Sequence, residues 1–259
     1  MRHSLIPWLF VACASGDDGG DSALVSETGT ATMPPHASWS VAPLDDADGG
    51  LQLRLVADPS GGAWASWFAN APTADGICDE IDVAPPPRER FDLRVARIAT
   101  DGSATVEDVA SPVAAVQPTG LGLRVDAAGQ PAIAYTGGEP EGQYCGAHDA
   151  VLARNDGTSW THTTVASDSG QSASGEPASD AGFVVGQWPA LAFDADGQPA
   201  VLHRDVHFGS LQRDDQFRAD AELSRALPAG WSHDVVDLGQ GAGTHGQLAF
   251  DPEGRPVAA

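Results

Sequence analysis

The sequence has no lysine. All 13 basic residues are arginine, against 36 acidic residues, and the formal net charge is −23 at pH 7. So acidic a chain repels phosphate backbones and anionic lipid headgroups, which excludes nucleic acid from the expected partners. The acidic residues are spread along the chain, and we interpret them mainly as a solubilising surface. A surface that binds cations or a basic partner is the functional alternative.

The sequence also has no apolar run long enough to cross a bilayer. The run Leu5–Val11 is short, contains Pro7 and follows the basic residues Arg2 and His3. A short basic start followed by a brief apolar stretch is typical of a signal peptide. We therefore predict a signal peptide over residues 1–12.

The next residues, Phe10-Val11-Ala12-Cys13, resemble the lipobox of bacterial lipoproteins. The resemblance implies that Cys13 is lipidated after cleavage and that the membrane is contacted only through this lipid anchor. Residues 13–35 are rich in Gly, Asp, Ser and Thr without periodicity, which predicts a flexible tether. The expected location is the outer membrane or cell surface. Ordinary secretion, a periplasmic location and no export are the alternatives.

Cysteine is scarce, with three residues in the chain. If Cys13 carries a lipid, Cys78 and Cys145 remain. Two cysteines in an exported chain indicate one disulfide. Two free thiols are the alternative.

Internal repetition is the strongest positive signal. Four segments combine alternating apolar residues, an aspartate and a glycine three positions later, which predicts a strand, a tight turn and a second strand. The turn aspartates lie 68, 68 and 57 residues apart, at Asp58, Asp126, Asp194 and Asp251. A third and a fourth strand recur after each of the first three hairpins, and the fourth opens with tryptophan at Trp160 and Trp231.

Repeating four-strand units with turn signals predict an all-β fold, a β-propeller of four-stranded antiparallel blades. The blades start near residues 51, 121, 190 and 247, and the repeats cover residues 36–259. These repeats resemble the sialidase-like (BNR-like) propeller repeats of bacterial surface proteins. The resemblance implies an architecture and no activity, because propellers host many functions and the four turns lack the tryptophan of the sialidase Asp-box.

The repeats amount to about three and a half blades. The segment Trp39-Ser40-Val41 looks like an isolated fourth strand that would complete a last blade and clasp the ring. We therefore expect the chain to be the N-terminal part of a longer reading frame. Self-assembly of half-rings and a β-sandwich built from the same hairpins are the alternatives.

Connection lengths predict where a ligand would bind. The turns between first and second strands and between third and fourth strands are short. The long connections, at about residues 70–90, 136–149, 167–188 and 204–218, fall at the opposite end of the blades. Long loops on one end of a rigid scaffold usually carry function. Cys78 and Cys145 both fall in these connections, where a disulfide could join them.

His203, Asp205 and His207 form the sharpest local pattern. In an extended strand these three side chains point to one side, and imidazoles with a carboxylate can bind a transition metal. The structural alternative for His203 is a bulky ring position, because Trp67 and Tyr135 stand at the same distance from their turn aspartates.

The other candidates for a ligand face each have a structural alternative. Asp79, Glu80 and Asp82 could perform glycosidase chemistry or bind Ca²⁺, or form a solvated acidic loop. His148 could belong to a catalytic triad, but no Gly-x-Ser-x-Gly elbow accompanies it. Trp188 could stack on a sugar or close the core at a blade boundary.

These observations favour a binding or interaction module at the cell surface, with carbohydrate or protein as its partner and no cofactor beyond a divalent metal. A glycan-active enzyme, a glycosidase or lyase, is the alternative. A structural surface protein without a pocket is the third interpretation.

Overall fold

The computed structural model describes residues 8–11, 40–44, 50–70, 91–113, 119–137, 149–168, 181–182, 184–207, 219–238 and 242–259. All regular structure in these ranges is β-strand, and none of it is a helix that could cross a membrane. The strands are β1 (Trp8–Val11), β2 (Ser40–Pro43), β3 (Gly50–Ala57), β4 (Ala63–Asn70), β5 (Phe91–Ile98), β6 (Ala104–Val113), β7 (Gly122–Val125), β8 (Pro131–Gly137), β9 (Asp149–Asn155), β10 (Trp160–Ala166), β11 (Val184–Phe193), β12 (Pro199–Val206), β13 (Ala219–Leu227), β14 (Gly230–Asp237), β15 (Leu248–Phe250) and β16 (Pro256–Ala258).

These strands form the blades of a β-propeller, as the repeats predict. Three four-stranded antiparallel meanders follow one another, β3–β6, β7–β10 and β11–β14, and the hairpin β15–β16 begins a fourth blade. The first strands of successive blades contact one another, β3 with β7, β7 with β11 and β11 with β15. The fourth strands are largely exposed. The first strand of each blade is therefore the innermost one, beside the propeller axis.

One N-terminal strand pairs with a segment of the predicted signal peptide, which leaves its expected place in the last blade a prediction. Strand β2, which contains Ser40 and Val41, pairs antiparallel with β1, so Val41 lies opposite Phe10. We expected this strand to complete the last blade. A closing strand would pair with the third strand of that blade, and the described part of the fourth blade consists of its first two strands.

The repeated aspartates build the same turn in every blade. In the second blade the Asp126 carbonyl oxygen accepts the N–H of Gly129 at 3.0 Å. The Asp126 carboxylate accepts the N–H groups of Ala128 and Gln130, both at 2.9 Å. The carboxylates of Asp194 and Asp251 accept the corresponding N–H groups of their own turns. Asp58 makes a variant of this turn in which its carboxylate accepts the N–H and the hydroxyl of Ser60.

The hydrophobic core lies between adjacent blades. Apolar side chains fill the space between blades one and two, two and three, and three and four, and they include Leu93, Leu121, Ile133, Leu191 and Leu202. Burying one such side chain stabilises the fold by about 1.5–3 kcal/mol. The inter-blade packing fixes the inner strands around the axis.

The recurring bulky position on the second strand is buried in each of the three complete blades. Trp67 is 1% exposed, Tyr135 4% and His203 0%. Because an indole, a phenol and an imidazole occupy this position in turn, what the fold requires there is a large ring rather than one particular chemistry. This observation agrees with the structural interpretation of His203.

Candidate functional site

Each blade has a residue in the left-handed backbone region at an equivalent position, on its inner strand or shortly before it. These residues are Gln52 (φ 61°), Gly120 (φ 84°), Trp188 (φ 53°) and His245 (φ 56°). Each stands six positions before the turn aspartate of its blade. The left-handed region is disfavoured for residues with a Cβ, by about 1–2 kcal/mol. Three of the four blades nevertheless place a side chain there.

The register of the strands explains this backbone conformation. In the third blade Gln187 pairs with Arg204 and Ala190 with Leu202, so Trp188 and Pro189 together face His203. The first blade has the same irregularity, with two residues of β3 facing Trp67. Two residues opposite one, with the first in the left-handed region, constitute a β-bulge, a feature common beside active sites.

The bulged residues of neighbouring blades contact one another. The N–H of Trp188 donates to the Thr119 carbonyl oxygen at 2.6 Å. A Cβ added at Gly120 would lie 3.1 Å from the Trp188 Cα. The Trp188 and His245 rings lie 3.9 Å apart, centroid to centroid, with their planes tilted by 46°. We call Gln52, Gly120, Trp188 and His245 the axial mouth.

The axial mouth lies in the half of the blades that is nearer the long connections. Val184 at the start of β11 pairs with Val206 at the end of β12, so inner strands begin where second strands end. The segments that follow the second strands contain 20, 11 and 12 residues, whereas each first turn contains five. The prediction that long connections share one end is therefore confirmed. Within the mouth, the Trp188 side chain is half-buried and His245 is exposed.

A buried polar cluster lies at the same end of the third blade. His207 Nε2 is 3.0 Å from Asp220 Oδ1 and 3.6 Å from Asp205 Oδ2. All three residues are at most 2% exposed. The N–H of Gly182 donates to both Asp205 carboxylate oxygens, at 2.8 and 3.0 Å. We call Asp205, His207 and Asp220 the blade-three cluster.

Burial sets the charge of this cluster. Burial raises the pKa of Asp205 to about 7, and the nearby carboxylates of Asp220 and Glu222 add to the rise. The Gly182 N–H and His207 act in the opposite direction. A buried carboxylate is costly unless a hydrogen-bond donor, a proton or a cation compensates its charge.

His203 belongs to a separate hydrogen-bond network. Its Nε2 lies 2.9 Å from the Ser224 hydroxyl, which also lies 2.9 Å from His233 Nδ1. His233 Nδ1 in turn lies 2.7 Å from Glu222 Oε1. Burial lowers the pKa of His203, which favours a neutral imidazole. The network connects the second, third and fourth strands of the blade.

The predicted set His203, Asp205 and His207 is thus divided in the structure. Asp205 and His207 lie together with Asp220, whereas His203 bonds to Ser224. Trp188 is at the axial mouth. The remaining predicted residues lie outside the described residues and stay predictions: Cys13, Cys78, Asp79, Glu80, Asp82, Cys145 and His148.

Sequence reasoning missed Gln52, Gly120 and His245 of the axial mouth and Asp220 of the blade-three cluster. His245 was identifiable, because it stands six residues before Asp251 as Trp188 stands before Asp194. Asp220 was not, because its position opposite Asp205 depends on the register between β12 and β13, across a 12-residue connection.

Comparison with known proteins identifies no family. No family model and none of the curated proteins match the chain. Several solved structures resemble it, and three of them share 12% sequence identity with it. They are a protein of unknown function from Dyadobacter fermentans (TM-score 0.49, 81% of this chain and 61% of that one), a sucrose-6-phosphate hydrolase from Lactobacillus gasseri (0.42, 86% and 44%) and a xylan β-1,4-xylosidase from Bacillus halodurans (0.43, 86% and 41%).

These likenesses concern the shape of the fold alone. The chain spans between 41% and 61% of the length of the three proteins. At such identity and TM-scores, they assign neither an activity nor a site to this chain. The function has to be argued from its own residues.

Proposed function

We propose that this propeller protein binds carbohydrate at the axial mouth, with the Trp188 indole as the surface on which a sugar ring stacks. The observation that carries the proposal is a half-buried tryptophan in the left-handed backbone region, in the half of the innermost strand that is nearer the long connections. Strained residues cluster at ligand sites, where the surrounding structure holds them in place.

The backbone itself gives no reason for tryptophan at this position. The second blade has Gly120 at the equivalent position, and glycine adopts the left-handed region without the Cβ penalty. An indole costs more there, and its ring is not fully buried in the core. A favourable interaction that does not contribute to folding would account for the tryptophan, and binding a ligand is such an interaction.

The chemistry of the mouth suits a sugar. An indole offers a broad apolar face with a polar N–H at its edge, which matches the apolar C–H face and the hydroxyl rim of a pyranose. His245, 3.9 Å from the indole, adds a hydrogen-bonding group that is exposed. One rigid ring and one imidazole can hold a hydroxylated ring at low cost in conformational entropy.

A glycan-active enzyme would use the same mouth. Glycoside hydrolysis needs two carboxyl groups on either side of the scissile bond. Asp79, Glu80 and Asp82 stay the predicted source of this pair, since the connection they belong to joins second and third strands. Release of reducing sugar, lost when these three residues are changed to Asn or Gln, would establish hydrolysis.

Binding is tested with a glycan array and titration calorimetry, with xylo-oligosaccharides and sucrose among the ligands. Trp188→Ala should lower the affinity for the best ligand at least about tenfold. Trp160→Ala is the matched control, a partly exposed tryptophan of the outer strand β10, and should bind like the wild type. Equal affinity in both variants would contradict the proposal. Absence of any glycan binding would favour the protein-partner or structural interpretation.

We propose also that Cys13 is lipidated and anchors the protein at the cell surface. The support is the lipobox-like sequence before Cys13 and the tether composition of residues 13–35. Metabolic labelling with a fatty acid should mark the wild type in the membrane fraction. Cys13→Ala should abolish the label, and a labelled variant would contradict the proposal.

A further inference from the structure

We propose that the blade-three cluster is a binding site for a first-row divalent transition metal, with Asp205, His207 and Asp220 as its ligands. The site is independent of the axial mouth and of any sugar. It would connect the end of β12 to the start of β13, at the base of the 12-residue connection between them.

The geometry of the three side chains fits one ion. One donor atom from each residue lies within 4.8 Å of the other two. Ligands at the usual metal–ligand distances of about 2.0–2.2 Å stand about 3–3.5 Å apart around a tetrahedral ion. The distances of 3.0 and 3.6 Å from His207 Nε2 to the two carboxylates are close to this spacing.

The strands place these donors in register. Asp205 lies directly opposite Asp220 in the β12–β13 ladder, so both side chains project from the same face of the sheet. His207 follows two residues after Asp205 and returns to that face. Backbone pairing therefore holds two of the ligands in position before any metal binds.

A backbone N–H group orients the Asp205 carboxylate. Both carboxylate oxygens accept the N–H of Gly182, which sets the plane of the carboxylate. A Cβ at Gly182 would overlap Asp205 Oδ1 and the Val206 carbonyl oxygen, so this position accommodates no side chain. Hydrogen bonds to ligating carboxylates are the usual means of fixing them for a metal.

The donor set and its charge indicate the class of metal. An imidazole nitrogen favours Zn²⁺, Fe²⁺, Co²⁺ or Ni²⁺ over Ca²⁺ or Mg²⁺, which prefer oxygen alone. Two carboxylates carry the charge that one divalent ion neutralises.

The test is a titration of the untagged, chelator-treated full chain with Zn²⁺, with the bound metal measured by equilibrium dialysis and elemental analysis. We expect one Zn²⁺ per chain at micromolar concentration, a higher melting temperature, and no displacement by about tenfold excess Ca²⁺. Asp220→Asn and His207→Gln should each weaken binding at least about tenfold. Asp234→Asn, an exposed carboxylate on β14 of the same blade, is the matched control and should bind normally.

Two outcomes would overturn the proposal. One is the absence of stoichiometric Zn²⁺ binding by the wild type. The other is unchanged binding by both ligand variants, which would place the metal on exposed histidines such as His233 or His245. If the variants do not fold, the visible absorption spectrum of the wild type with added Co²⁺ tests the proposal instead. Visible absorption of a tetrahedral nitrogen–oxygen site supports the proposal, and the spectrum of the hydrated ion contradicts it.

Discussion

The two ends of the blades differ in how far their side chains repeat. At the short-turn end, every blade repeats one solution, an aspartate whose carboxylate accepts backbone N–H groups of its own turn. At the long-connection end, the repeated left-handed position holds a different residue in each blade: glutamine, glycine, tryptophan and histidine. The backbone geometry is kept at both ends, but the side chain is kept at one.

This difference is what we expect if one end serves stability and the other serves the proposed ligand binding. An end that repeats both backbone and side chain is explained by folding alone, since each turn satisfies its own polar groups. An end that repeats a strained backbone but varies the side chain is explained by what those side chains contact. Substitutions at the two ends should therefore change different properties of the protein.

The largest effect is expected at a short-turn glycine that packs against backbone. Gly62 has φ 87°, and a Cβ there would overlap the Ile98 carbonyl oxygen. Gly62→Ala should lower the free energy of unfolding by about 3–5 kcal/mol, since backbone strain and a steric clash add. Gly129→Ala is the matched control, with φ 80° and no atom within 4 Å of the added Cβ, and should lower it by about 1 kcal/mol. Urea unfolding measures both, and equal losses would contradict this account.

An intermediate effect is expected at a turn carboxylate. Asp194→Ala removes the acceptor of two N–H groups, those of Asp196 and Gln198, and should lower the free energy of unfolding by about 1–2 kcal/mol. Asp196→Ala, in the same turn, removes a carboxylate with no described hydrogen bond of its own and should change it by less than about 0.5 kcal/mol. Urea midpoints compare the two. A larger loss in Asp196→Ala would show that the repeated turn is not stabilised through its first aspartate.

The smallest effect should have the opposite sign and lies at the mouth. Gln52 has φ 61°, and none of the hydrogen bonds of the described residues uses its side chain. Gln52→Gly should raise the free energy of unfolding by about 0.5–1 kcal/mol, because glycine adopts this backbone conformation without a Cβ penalty. Thermal unfolding at fixed protein concentration measures the gain. A clear loss of stability would mean that the glutamine side chain is required by the fold.

Periodicity in the sequence was sufficient to predict the blades and their turns. The repeated aspartate and glycine encode a local structure, since the turn residues bond to one another within five positions. The same spacing predicted that Trp67, Tyr135 and His203 occupy equivalent places, and all three are buried. Local patterns of this kind can be read from a single sequence because no distant partner is needed.

The sites depend on partners that the sequence does not reveal. The bulge at Trp188 arises from its register against His203, which lies on the next strand. The blade-three cluster needs Asp220 opposite Asp205, and the pairing of β1 with β2 joins segments about 30 residues apart. Register between strands is set by packing across blades, so alternation alone could suggest Asp205 and His207 but could not add Asp220 or separate His203.

The most direct test of the division between the two ends measures one property at both. The dissociation constant of the best glycan ligand should be determined for the wild type, Trp188→Ala and Asp194→Ala below their melting temperatures. The account predicts at least about tenfold weaker binding for Trp188→Ala. It predicts unchanged binding for Asp194→Ala, although this substitution lowers the free energy of unfolding. Weaker binding in Asp194→Ala with normal binding in Trp188→Ala would contradict it, because the ligand would then bind at the short-turn end.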